Sequence, residues 1–145
     1  MVRNKLQTYF VVGIRVLIGA TLIGYGLLKL FRIQFSIPNE ILAQPLAEVD
    51  LFTLSWYLAD HEPFRTCVGI TEVATGLMFL VKKLFLIASI VSVAIWVPIL
   101  LFDLTFMGHD IALITFVVTM ISLTISLILV YRRKLLDALK VLMVP

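Results

Sequence analysis

Four long apolar runs, at about 9–31, 65–81, 84–103 and 111–131, fill most of the chain, and each carries one row of small or polar residues along a single helical face. This distribution limits the possible folds more than any other feature. A run that is apolar all round needs only lipid. One that holds Arg15 or Glu72 near mid-membrane must turn it toward protein or water, since an unpaired charge there costs at least ~2.5 kcal/mol. Three of the runs approach or exceed the ~20 residues that cross a hydrocarbon core of ~30 Å. The second is shorter and extends outward through Phe64 and Arg65. The expected fold is all-α: a single transmembrane domain over 1–145, built as a four-helix bundle with a polar interior.

Composition removes several alternatives. Apolar residues make up 61% of the chain, against roughly 45–50% in soluble proteins. The net charge of +3 does not indicate nucleic acid, because the basic residues sit at the ends of apolar runs rather than on one polar segment. Cys67 is alone, so it forms no internal disulfide, CxxC pair or CxxCH haem attachment, and is expected to be a small packing residue. His61 and His109 fall in loops with no metal-ligand spacing, and no histidine lies within a run to hold haem. No phosphate loop, GxSxG elbow or Ser/His/Asp constellation is present.

The charges also orient the chain. Arg3 and Lys5, Lys82 and Lys83, then Arg132, Arg133, Lys134 and Lys140 fall on one side. Glu40, Glu48, Asp50, Asp60, Glu62 and Asp110 fall on the other. The positive-inside rule makes both termini cytoplasmic. The first run is too long for the core of a signal peptide and is expected to be retained. The external segment, 32–64, is too apolar for a solvated loop. Leu42, Leu46, Val49, Phe52 and Trp56 share one face, which predicts a short re-entrant or interfacial helix.

At 100° per residue the polar rows are Arg15, Gly19, Leu22, Gly26 and Lys29 on the first run, and Arg65, Gly69, Glu72 and Gly76 on the second. On the third they are Ser89, Ser92, Trp96 and Asp103, and on the fourth Thr115, Thr119, Ser122 and Ser126. Small residues let helices approach closely in lipid, and hydroxyls bond across the gap. Counting from Lys5 and from Lys82 places Arg15 and Glu72 each roughly 15 Å from the cytoplasmic boundary, which predicts an Arg15–Glu72 ion pair. Lys29 and Asp103 both fall near the outer end, where a second pair is expected. Two readings of these pairs stand: mutual neutralisation that fixes helix register, or a polar ligand or proton site with Trp96 flanking a ring.

The segments Arg15-Val-Leu-Ile-Gly19, Gly24-Tyr-Gly-Leu-Leu-Lys29-Leu and Gly69-Ile-Thr-Glu72-Val-Ala-Thr-Gly76 resemble the first two spans of the DoxX-like membrane proteins. Gln34-Phe35 and Trp56 resemble the bacterial branch with the longer external loop. The likeness runs from about Tyr9 to Asp103, and Arg15, Lys29 and Glu72 match the family pattern. Lys82-Lys83 departs from the family's Gly/Arg-rich turn, and the glycine expected next on the third span is missing. The resemblance implies a four-helix bacterial inner-membrane protein. It further implies a non-catalytic accessory or membrane subunit of a redox or envelope-stress system, partnered by a redox enzyme. The alternatives are the membrane subunit of a thiosulfate–quinone type oxidoreductase, with quinone as its ligand, or a small-solute or proton pathway in a homo-oligomer. The lipid bilayer is the one partner expected on every reading.

Overall fold

A computed structural model describes residues 5–37, 39–107 and 110–143, with side chains described throughout except at 42, 46, 134 and 138–143. Arg3, Pro38 and His109, and the side chains of Leu42, Leu46, Lys134 and Lys140, lie outside the described residues. The helices are α1 (Lys5–Leu30), α2 (Asn39–Leu42), α3 (Leu51–Ala59), α4 (Phe64–Leu80), α5 (Phe85–Phe106) and α6 (Ile111–Met143), with a 3-10 turn at Leu46–Glu48. All the described regular structure is helical. Lys5–Leu30, Phe85–Phe106 and Ile111–Arg133 are each long and apolar enough to cross a membrane.

Burial departs from that of a water-soluble bundle: hydroxyls and charges share the interior with apolar side chains, and many large apolar side chains lie outside. Ser89, Ser92 and Thr124 are 0% exposed, whereas Ile87, Leu101 and Leu129 are 53%, 60% and 58% exposed. An apolar outside with polar groups gathered inside costs little in lipid, where helical backbone groups are already paired within their helix. The fold is that of a helical membrane protein.

Neighbour relations run α1–α4–α5–α6, with α1 and α6 touching only lightly and α1 and α5 diagonal to one another. The α1–α4 contact is by far the most extensive. Its cause is a glycine clasp: a Cβ on Gly26 would stand 2.7 Å from the Gly69 carbonyl oxygen, and one on Gly76 2.7 Å from that of Gly19. Only glycine permits this approach, and the reciprocal pairs fix an antiparallel register. Beyond the clasp α1 ends on Arg32, whose φ of 58° is left-handed. Its amide bonds the Lys29 carbonyl at 3.1 Å, while the Ile33 amide bonds that of Leu28 at 2.8 Å. This is a Schellman stop built on arginine where glycine is usual.

Two expectations need correction here. The external segment is not one helix, because Pro45 lacks an amide and disfavours helix at Gln44. Leu42 and Leu46 therefore fall outside the helix that carries Phe52 and Trp56. That helix, α3, starts at an Asp50 cap that accepts from the Thr53 amide at 3.0 Å. On α6 the row Thr115, Thr119, Ser122 and Ser126 is exposed, and Val117, Met120, Thr124 and Leu127 face inward instead. Both rows have helical period and sit on opposite faces, so periodicity alone does not choose between them. The outward hydroxyls bond back to their own helix (Thr119 to Thr115 at 2.7 Å, Ser126 to Ser122 at 2.8 Å), which lets them face lipid.

Candidate functional site

The α1–α4 interface holds a buried ion pair, and it is not the expected one. Lys29 Nζ lies 2.8 Å from both Glu72 oxygens, and the two residues are 5% and 1% exposed. In the glycine register Gly19 faces Gly76, so Arg15 comes level with Leu80 and Glu72 level with Ile23. Arg15 is thereby separated from Glu72 by eight residues of α4, ~12 Å of helix. The sequence estimate failed because it took Lys5 and Lys82 as level, whereas α1 runs past the end of α4.

Lys29 reaches Glu72 because side chains lean toward the N-terminus of their own helix. Along antiparallel helices that leans Lys29 toward mid-bundle and Glu72 toward the α3 end, so the two converge. Arg15, on the same helix, leans the same way but starts beyond Glu72, so its lean carries it farther from the carboxylate. Its Nε and Nη2 donate to the Phe79 carbonyl at 3.0 and 2.8 Å, and Nη2 also donates to that of Leu80 at 3.1 Å. These are terminal carbonyls of α4, where a cation is favoured by the helix dipole. The guanidinium also stacks on the Phe85 ring at 4.6 Å.

The expected Lys29–Asp103 pair is absent as well. Asp103 is 6% exposed on α5 and makes no ion pair among the described residues. Helices α1 and α5 are diagonal, so α4 and α6 come between them.

Aromatic rings enclose the Lys29–Glu72 pair. Lys29 Nζ stands 5.6 Å from the Tyr25 ring centroid and 5.9 Å from that of Phe35. Phe35 meets Trp56 edge-on at 5.5 Å, and Trp56 packs on Phe52 at 4.8 Å. The external segment thus covers the pair through Phe35 and α3. On the other side Tyr25 leads to Phe116 at 6.0 Å, and Phe116 to Trp96 at 6.3 Å. Trp96 is 2% exposed, and its Nε1–H has no hydrogen-bond partner among the described residues. A buried donor or acceptor left unpaired costs about 1–3 kcal/mol, so this one, like Gln34 Oε1 and Arg65 Nε, marks a place where the interior has spare hydrogen-bonding capacity.

At the α3 end, Arg65 is 4% exposed. It bonds Asp60 Oδ1 at 2.8 Å and also bonds Glu62. The Thr66 hydroxyl and the Arg65 charge hold the Glu62 carboxyl below the usual carboxylate range against its desolvation. His61 Nδ1 sits 2.8 Å from the Tyr57 carbonyl, and its ring meets that of Tyr57. Among the described residues no three His, Cys, Asp or Glu side chains converge to hold a metal. Cys67 is exposed on α4 while Glu72 on the same helix is buried.

The helical rows of the first three runs did locate Lys29, Glu72, Trp96 and Asp103 in the interior. Missed were Tyr25, although its place four residues before Lys29 on one helix signals the contact, Phe35, which lies past the end of α1 where helical period no longer applies, and the role of Arg15 as a cap. No family model, curated protein or solved structure matches this chain.

Proposed function

We propose that the chain is a DoxX-like protein of the bacterial inner membrane, with four spans and cytoplasmic termini. On this reading it is a non-catalytic accessory protein or membrane subunit of a redox or envelope-stress system. The observation that carries this reading is the closure of the Lys29–Glu72 pair: both carboxylate oxygens are taken by one ammonium, and rings cover it. A pair so engaged neutralises itself and locks register. Proton or group transfer would need one partner to be given up. The fourth span is α4. Its 17 residues reach ~25 Å, and its two charged side chains, Arg65 and Glu72, are both buried.

Native mass spectrometry of the chain extracted from its own membrane in mild detergent tests the role. A stoichiometric redox-enzyme partner is expected. A bare chain, together with intact neighbours in a deletion strain, overturns it.

A second reading, the membrane half of a quinone-linked oxidoreductase, is favoured by the unpartnered Trp96 Nε1–H, a donor of the kind that a ring carbonyl accepts from. Trp96→Phe keeps the ring packing and removes the donor. On this second reading it weakens quinone reduction by the complex, and unchanged turnover eliminates it.

A further inference from the structure

The end of the bundle opposite α3 gathers cations from separate parts of the chain. Lys82 and Lys83 form the turn between α4 and α5, Arg132 and Arg133 lie on α6, and all are exposed. Ring contact between Phe85 and Tyr131, with centroids 4.8 Å apart, sets that turn beside that stretch of α6. Arg15 stacks on the same Phe85 ring but is committed to the α4 carbonyls, so it braces the contact instead of offering a free charge. Helix α5 begins here with no side-chain cap and no acidic residue in its first turn, which leaves the local potential positive. Among the described carboxylates only Asp137 lies toward this end.

The cations border an apolar apron. Leu84, at the N-cap of α5, and Ile87, on α5, are 37% and 53% exposed, and Leu129 and Val130 are each 58% exposed on α6. A dissolved anion would engage the charges and leave the apron idle. A phospholipid engages both, its phosphate at the cations and its chains along the apolar side chains. We propose that the basic surface formed by the Lys82–Lys83 turn and Arg132–Arg133 binds an anionic phospholipid headgroup, best one carrying two phosphates, one for each basic pair. This does not depend on which partner or reaction the bundle serves.

The test is native mass spectrometry of the purified full-length chain in detergent, with cardiolipin or phosphatidylcholine added at equal concentration. Wild type is expected to retain cardiolipin about tenfold better than phosphatidylcholine, as several basic residues near a headgroup should allow. The variant K82Q/K83Q/R132Q/R133Q loses that preference while its helicity and elution volume stay the same. Arg32→Gln, at the opposite end, keeps it. If the fourfold variant does not fold, K82Q/K83Q alone, confined to an exposed turn, is expected to show a partial loss. Equal retention of both lipids, or a preference that survives removal of the cations, overturns the proposal. So does displacement of cardiolipin by inorganic phosphate at matched concentration, which would make the basic surface a simple anion site.

Discussion

The two halves of this bundle handle polarity in opposite ways. Between α1 and α4, polar groups are satisfied across the interface: Lys29 needs Glu72, and Arg15 needs the carbonyls of Phe79 and Leu80. Between α5 and α6, buried hydroxyls are satisfied within each helix: Ser89 donates to Phe85 at 2.7 Å and Thr124 to Met120 at 2.8 Å. The first arrangement fixes register, because a shift of one turn would break an ion pair and collide with the glycine clasp. The second leaves register to the packing of Phe85 on Tyr131 and Trp96 on Phe116. In lipid, where apolar surface is not driven inward, specificity has to come from groups of the first kind.

This contrast can be broken in order of expected effect. Lys29→Met strands a buried carboxylate and is expected to cost about 3–5 kcal/mol, while the double variant K29M/E72M regains most of the loss. A double-mutant cycle on unfolding in detergent measures it; a double variant as weak as the single would show that the pair is not what links α1 to α4.

Gly26→Val forces a side chain into the Gly69 carbonyl and is expected to cost about 1–3 kcal/mol. Gly24→Ala, where nothing lies within 4 Å, is the control. It should be neutral or slightly stabilising by up to about 1 kcal/mol, the usual helical gain of alanine over glycine.

In the other half, Thr124→Val removes a hydroxyl that bonds only its own helix. The expected change is below about 1 kcal/mol, and a larger loss would mean that α6 also holds its place by a cross-helix bond.

The smallest effect is on pH. The Thr53 hydroxyl, and then its amide, hold the Asp50 carboxyl below its ordinary value of 3.8. A lowered carboxylate contributes while ionised, so its support for α3 is full above that value and fades as pH falls through the lowered one. Hydrogen exchange of α3 amides should quicken there, with the α1–α4 amides unchanged.

How much was legible in the sequence differs between the same two halves. The α1 and α4 rows were readable because glycine and charge are rare in apolar runs, and their period places them on one face. The α6 row was misread because hydroxyls that bond their own carbonyls carry no such penalty, so both faces of that helix suit lipid equally. The broken external segment was foreshadowed by Pro45, whose effect on the shared face of Leu42 and Trp56 outweighed the apolar spacing.

By itself, then, the sequence determined the all-α class, the long apolar helices and the burial of Lys29, Glu72, Trp96 and Asp103. Each follows from hydropathy and helical period, which are properties of one segment at a time. Which charge meets which was decided only by the tertiary structure. That depends on the axial register of two helices, set by backbone contact at Gly19–Gly76 and Gly26–Gly69, and on the lean of each side chain along its own helix. A count of residues from the loops missed that register by about two turns of helix.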